Sequence, residues 1–130
     1  MVTAGNMSKV IAVYGSLKMG RYNHPLIQGS QFLGESKIKG TMYSLGSYPA
    51  LVEEGNEEYT VELYQVPTMT HERVRNMELG AGYKEKELEF EHAENYEFSK
   101  KLLKTKAVIY YADDFLAEYC KGGKEVIDNY

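Results

Sequence analysis

The 130-residue chain has a single cysteine, Cys120, so neither an intramolecular disulfide nor a cysteine-based zinc site can be built within it. That usage fits a reducing, cytoplasmic setting. The chain also lacks a basic excess. Its 15 Lys+Arg stand against 19 Asp+Glu, a formal net charge of -4 with a pI near 5.4. Duplex nucleic acid needs a basic face, so it is not an expected partner. No stretch approaches the ~20 apolar residues of a spanning helix, and the start of the chain lacks the basic-then-apolar pattern of a signal peptide. A membrane is therefore not expected either. Met7-Ser8-Lys9 would also serve as a start, so residues 1–8 read as a loose leader and residues 9–130 as a single domain.

Several catalytic signatures are missing. Gly15 to Gly20 fits the opening of a phosphate-binding G-x-x-x-x-G loop, but Arg21-Tyr22 stands where the Lys and the metal-binding Ser/Thr are needed. No G-x-G-x-x-G dinucleotide fingerprint and no G-x-S-x-G nucleophile elbow occurs. His71-Glu72 begins like a metalloprotease helix, yet Arg75 takes the place of the second histidine. His24, His71 and His92 are scattered and read as surface or capping residues. Neither a metal nor another cofactor is expected.

What is present is 43% apolar residues, with 12 Tyr and 4 Phe, enough for one core. Lys9 to Tyr14 is a β-branched apolar run that predicts a central strand covered on both faces. A Gly-bounded loop follows, then a short helix opened by Asn23-His24-Pro25 and ended by Gly29. Phe32 to Ile38 and Thr41 to Leu45 predict strands separated by Lys39-Gly40, and Gly46 to Ala50 breaks the pattern again. Tyr59 to Val66 predicts a strand closed by Pro67. Thr70 to Leu79 changes period, with Val74 and Met77 i,i+3 apart, and predicts a helix capped by Thr70 and ended by Gly80-Ala81-Gly82. Tyr83 to Phe90 reads as an edge strand, and the Lys- and Glu-rich run Lys84 to Glu94 as a solvated face without chemistry. Lys106 to Ala112 predicts a strand, and Asp113 or Asp114 a cap for a short helix through Cys120. Without alternating βαβ units, these elements predict an α+β fold, a small mixed β-barrel or curled sheet with short flanking helices.

Two features suggest chemistry. Tyr14-Gly15-Ser16-Leu17, at the end of a buried strand, could be an anion-binding nest of backbone N–H groups or simply a tight turn. Glu78, beside Met77, could be a buried carboxyl suited to carry a proton at neutral pH or a solvated helix glutamate.

Val13-Tyr14-Gly15-Ser16-Leu17-Lys18-Met19-Gly20, followed by Asn23-His24, is similar to the opening V-Y-G-(T/S)-L-(K/R)-x-G block, with N-H after it, of the γ-glutamylcyclotransferase-like family, which includes AIG2-like proteins. Gly46 to Leu51 resembles its second block, G-x-Y-P-A-(L/I), and Val61 to Val66 its next strand. Met77-Glu78, Gly80 and Tyr83 resemble the stretch around its catalytic glutamate, usually L-D-x-x-E-G followed by Y-x-R. The opening block looks most like the γ-glutamylamine cyclotransferase branch. Three departures stand out: Arg75 where Asp is usual, Leu79 where Gly follows the glutamate, and Lys84 or Lys86 standing in for the usual Arg.

The resemblance implies a small mixed barrel and an enzyme that turns a γ-glutamyl amide into 5-oxoproline and a free amine or amino acid, without a cofactor. Glu78 is then the proton shuttle, Gly15, Ser16 and Leu17 grip the substrate, and Tyr14 and Tyr83 position it or line its pocket. The only partner implied is the small γ-glutamyl substrate, and the oligomeric state is left open. A non-catalytic small-ligand or protein-binding module on the same fold is the alternative.

Overall fold

The computed structural model describes residues 8–18, 20, 24–46, 48–93 and 101–127. Residues 1–7 of the leader, Asn23 and the last three residues lie outside them, whereas Ser8 opens the first strand. The elements are β1 (Ser8–Val13), β2 (Gln31–Ser44), β3 (Pro49–Pro67), α1 (Thr68–Gly80), β4 (Tyr83–Ala93), β5 (Leu102–Ala112), α2 (Asp114–Lys121) and β6 (Val126–Ile127), with single 3-10 turns at Gly15–Leu17 and His24–Leu26. Among the described residues no helix is long and apolar enough to cross a membrane.

One mixed sheet of six strands runs in the order β4-β5-β1-β3-β2-β6. β1 and β5 are parallel through Ile11 and Val108, and the other ladders are antiparallel. The apolar run of β1 explains its central place. Ile11 and Val13 point into a core shared with Val74 and Met77 of α1 and Leu116 of α2, while Ala12 points into a second core with Met42, Leu63 and Phe90. The sheet curls strongly. β2 and β4 are far apart in strand order, yet the Ser36 hydroxyl donates to the Glu91 carbonyl at 2.6 Å. The sheet is not closed by a ladder there, and this side-chain bond spans the seam of a barrel-like curl.

Four expectations need correction. Lys39-Gly40 does not separate a pair of strands: β2 runs through it, and the irregularity lies on β3. Gly40 pairs with Glu57 while Thr41 pairs with Val52, leaving residues 53–56 of β3 unpaired with β2. Thr70 does not cap α1, because the helix starts directly after Pro67, whose φ of -59° suits that place. The run from Lys84 is not wholly solvated, since Phe90 and His92 are buried, His92 against Thr105 at 2.8 Å. His92 is therefore not a surface histidine. The Asp113 cap is as expected, its side chain accepting from the Leu116 N–H at 2.8 Å.

Gly55 sits in the β3 excursion at φ +114°, where a β-carbon would lie 2.2 Å from Thr41 Oγ1 and 3.0 Å from the Gly40 carbonyl oxygen. Thr41 Oγ1 already donates to the Glu54 carbonyl. Gly55→Ala is expected to cost about 1–2 kcal/mol through backbone strain, read as a lower denaturant midpoint at unchanged slope. An unchanged midpoint would show that the excursion yields freely.

Candidate functional site

The parallel pair β1–β5 opens its two C-terminal ends on the same side, the usual place for a site in such a pair. The chain leaves β1 at Tyr14 and enters the Gly15–Leu17 turn, with Gly15 at φ +69°, in the left-handed region that favours glycine. The turn's internal bond runs from the Lys18 N–H to the Gly15 carbonyl at 3.1 Å. The leading N–H groups of such a turn, those of Gly15 and Ser16, have no carbonyl inside it to bond. Leu17 anchors it from below, its side chain buried in the core that also holds Val74 and Met77. His24 braces it from the side, with Nδ1 2.9 Å from the Leu17 carbonyl.

Tyr14 is a strut. Its hydroxyl donates to the Tyr110 carbonyl of β5 and accepts from the Leu51 N–H of β3 at 3.3 Å. Tyr83, at the start of β4, is buried and donates to the Pro49 carbonyl at 2.6 Å. Both tyrosines thus tie the Pro49–Leu51 segment to the end of the β1–β5 pair. Burial holds both hydroxyls well above the ordinary tyrosine range, so they stay neutral.

Glu78 lies in the last turn of α1, half-buried. Burial pushes its carboxyl up to about 7. After burial itself, the Glu78 charge is among the influences that raise the hydroxyls of Tyr14, Tyr83 and Tyr110, so the three hydroxyls lie within electrostatic reach of it, while the Tyr14 ring itself packs against the second core. The fold therefore brings the Tyr14 hydroxyl near Glu78 across more than sixty residues of sequence, with Tyr83 only five residues beyond Glu78, and the Gly15–Leu17 turn continues directly from Tyr14. Glu78 is not a solvated helix glutamate.

Other members were not singled out in the sequence. Tyr110 faces this site while its neighbour Tyr111 faces the second core, an alternation that the strand period of two could have revealed. Glu85 carries Arg75 Nε at 2.8 Å, His71 Nε2 at 3.3 Å and the Tyr110 hydroxyl at 3.3 Å. Lys84 and Lys86 both turn to Glu53: each ammonium lies 2.7 Å from its carboxylate, which they hold below the usual carboxylate range. Among the described residues no group of three or more His, Cys, Asp or Glu side chains converges as a metal site would require.

Residues 11–127 match the model of a family described as gamma-glutamyl cyclotransferase, AIG2-like. Two proteins each named "Putative gamma-glutamylcyclotransferase" are similar to the chain. The one from Pyrococcus horikoshii is 39% identical over 74 residues, 57% of this chain and 63% of that protein. The one from Vibrio cholerae is 42% identical over 66 residues, 49% of this chain and 56% of that protein. The aligned stretch thus spans less than two thirds of either relative. A crystal structure of an uncharacterized protein from Pyrococcus horikoshii superposes with a TM-score of 0.61 at 29% identity, covering 92% of this chain and 86% of that one. That of an AIG2-like protein from Mus musculus superposes with a TM-score of 0.72, covering 95% and 88%, and at 18% identity this is a likeness of fold.

Proposed function

The chain belongs to the γ-glutamyl cyclotransferase, AIG2-like family, and from that premise we propose that it is an enzyme converting a γ-glutamyl amide into 5-oxoproline and a free amine or amino acid. The observation that carries this reading is Glu78: a carboxyl that burial pushes up to about 7, within electrostatic reach of the Tyr14, Tyr83 and Tyr110 hydroxyls, beside the strand pair that leads into the Gly15–Leu17 turn. Asn23-His24 after the opening block favours an amine as the leaving group.

The chemistry needs no side-chain nucleophile. The substrate's α-nitrogen attacks its own γ-carbonyl carbon, a C–N bond forms to close the lactam, and the bond to the leaving nitrogen breaks. The α-ammonium starts with three protons and the lactam nitrogen keeps one, so two must move to the leaving nitrogen, which departs as an ammonium. Glu78 takes the two protons one after the other from the α-nitrogen and hands each to the leaving nitrogen, and a group whose carboxyl is pushed up to about 7 does both without a large penalty. Holding the chain bent supplies an effective molarity of order 10⁵ M or more.

The turn N–H groups of Gly15, Ser16 and Leu17 are suited to grip the α-carboxylate. The hydroxyl protons of Tyr14 and Tyr83 are already engaged by backbone carbonyls, so these residues serve as neutral walls that shape the pocket. A screen of γ-glutamyl compounds for 5-oxoproline release tests the reading and names the leaving group, and failure of every compound would refute it. Because the transfer is internal and redox-neutral, the activity is expected to survive exhaustive chelation. Recovery of a lost activity on adding zinc or magnesium would overturn that expectation.

A further inference from the structure

His71, Arg75 and Glu78 are spaced i, i+4, i+7 along α1 and so lie on one stripe of the helix. The first two of them meet Glu85 of β4, Arg75 through Nε at 2.8 Å and His71 through Nε2 at 3.3 Å. The third donor to Glu85 is the Tyr110 hydroxyl of β5, and the Tyr110 carbonyl accepts the Tyr14 hydroxyl. A continuous set of polar contacts thus runs from the helix that bears Glu78 to the strand end that leads into the turn. Its hub is sheltered: the Glu85 side chain is 20% exposed, against 49% for Arg75.

We propose that Arg75 and Glu85 are a positioning pair, aided by His71, that seats the Glu78 stripe of α1 against β4 and β5. The sequence pattern adds an independent argument. In L-D-x-x-E-G followed by Y-x-R, the acid falls at position 75 and the base at position 85 when counted from Glu78 and Tyr83. Here both charges are inverted, and the two inverted residues meet in one ion pair. Either change alone would set like charges against each other, whereas both together keep an opposite-charge contact. Counted this way, the residues at positions 75 and 85 offset each other here as an opposite-charge contact.

The test reads the Glu78 carboxyl directly by NMR titration, with Glu78→Gln assigning the signal. The groups within electrostatic reach of Glu78 are Tyr14, Tyr83 of β4 and Tyr110 of β5, all neutral near pH 7, with Arg75, His71 and Glu85 as the nearby polar network. Arg75→Gln removes a cation, which by charge alone would raise the Glu78 midpoint. A helix that loosens and admits water would lower it, by about half a unit or more. A fall is expected in Arg75→Gln and in Glu85→Gln, and the double exchange Arg75→Glu/Glu85→Arg is expected to return the midpoint to about 7. A midpoint unchanged or raised in Arg75→Gln, or left low in a folded double exchange, would overturn the proposal. Its kinetic arm rests on the proposed function: each single variant should lower kcat for 5-oxoproline release with KM little changed, and the exchange should restore it. Failure of every γ-glutamyl compound would count against that function, while the titration would still decide the positioning role.

Discussion

Glu78→Gln is expected to slow 5-oxoproline release by about 10²–10⁴-fold, the usual contribution of a general acid–base group, while leaving the fold intact. Gln keeps the shape of Glu and its place on α1 but cannot take the proton of the α-ammonium. The loss should fall on kcat, because the groups proposed to grip the α-carboxylate are backbone N–H groups of the Gly15–Leu17 turn, which the substitution does not touch. Ser16→Ala should be milder for a related reason: it removes a hydroxyl but keeps the N–H. Steady-state rates of both variants on the best compound from the screen separate proton transfer from carboxylate gripping. Turnover by Glu78→Gln at the wild-type rate would remove Glu78 from the chemistry and favour a binding module on the same fold.

The features of this site legible in the sequence were those with a strong local signal. The β-branched run before Tyr14 could only be a covered strand, Gly15 marked where it had to turn, and Val74 with Met77 set the buried stripe of α1. The length of β3 was not legible, because residues 53–58 are polar and include Gly55-Asn56, a composition typical of loops; their extended form depends on the β2 partner and on the excursion opposite Gly40. Glu85 was hidden for another reason. Within Lys84-Glu85-Lys86-Glu87 every residue looks solvated, and only the packing of α1 on β4 decides that Glu85 turns towards His71 and Arg75 while the flanking lysines turn towards Glu53. Long-range partners of charged residues are set by tertiary structure and leave no periodic trace.

Burying Glu78 should also cost stability, with a definite dependence on pH. Its folded midpoint near 7 lies above the ordinary 4.5, so between these values the folded chain binds more protons than the unfolded one, and stability falls as pH rises through that window. Below about pH 4.5 the carboxyl is protonated in both states and nothing is lost. Above about pH 7 the full cost applies, with a ceiling near 3 kcal/mol at 1.36 kcal/mol per pKa unit, lowered by the solvent that reaches this half-buried group. Glu78→Gln removes the charge that must be buried. Denaturant melts at a series of pH values should therefore show the variant more stable than wild type at pH 8 and the two converging near pH 4. The substitution expected to cost most activity is then one that stabilises the fold, the relation that a strained catalytic group produces. Equal stability of the two proteins at pH 8 would mean that the Glu78 carboxylate is already well solvated, and a group so placed would titrate too low to return its proton efficiently to the leaving nitrogen at neutral pH.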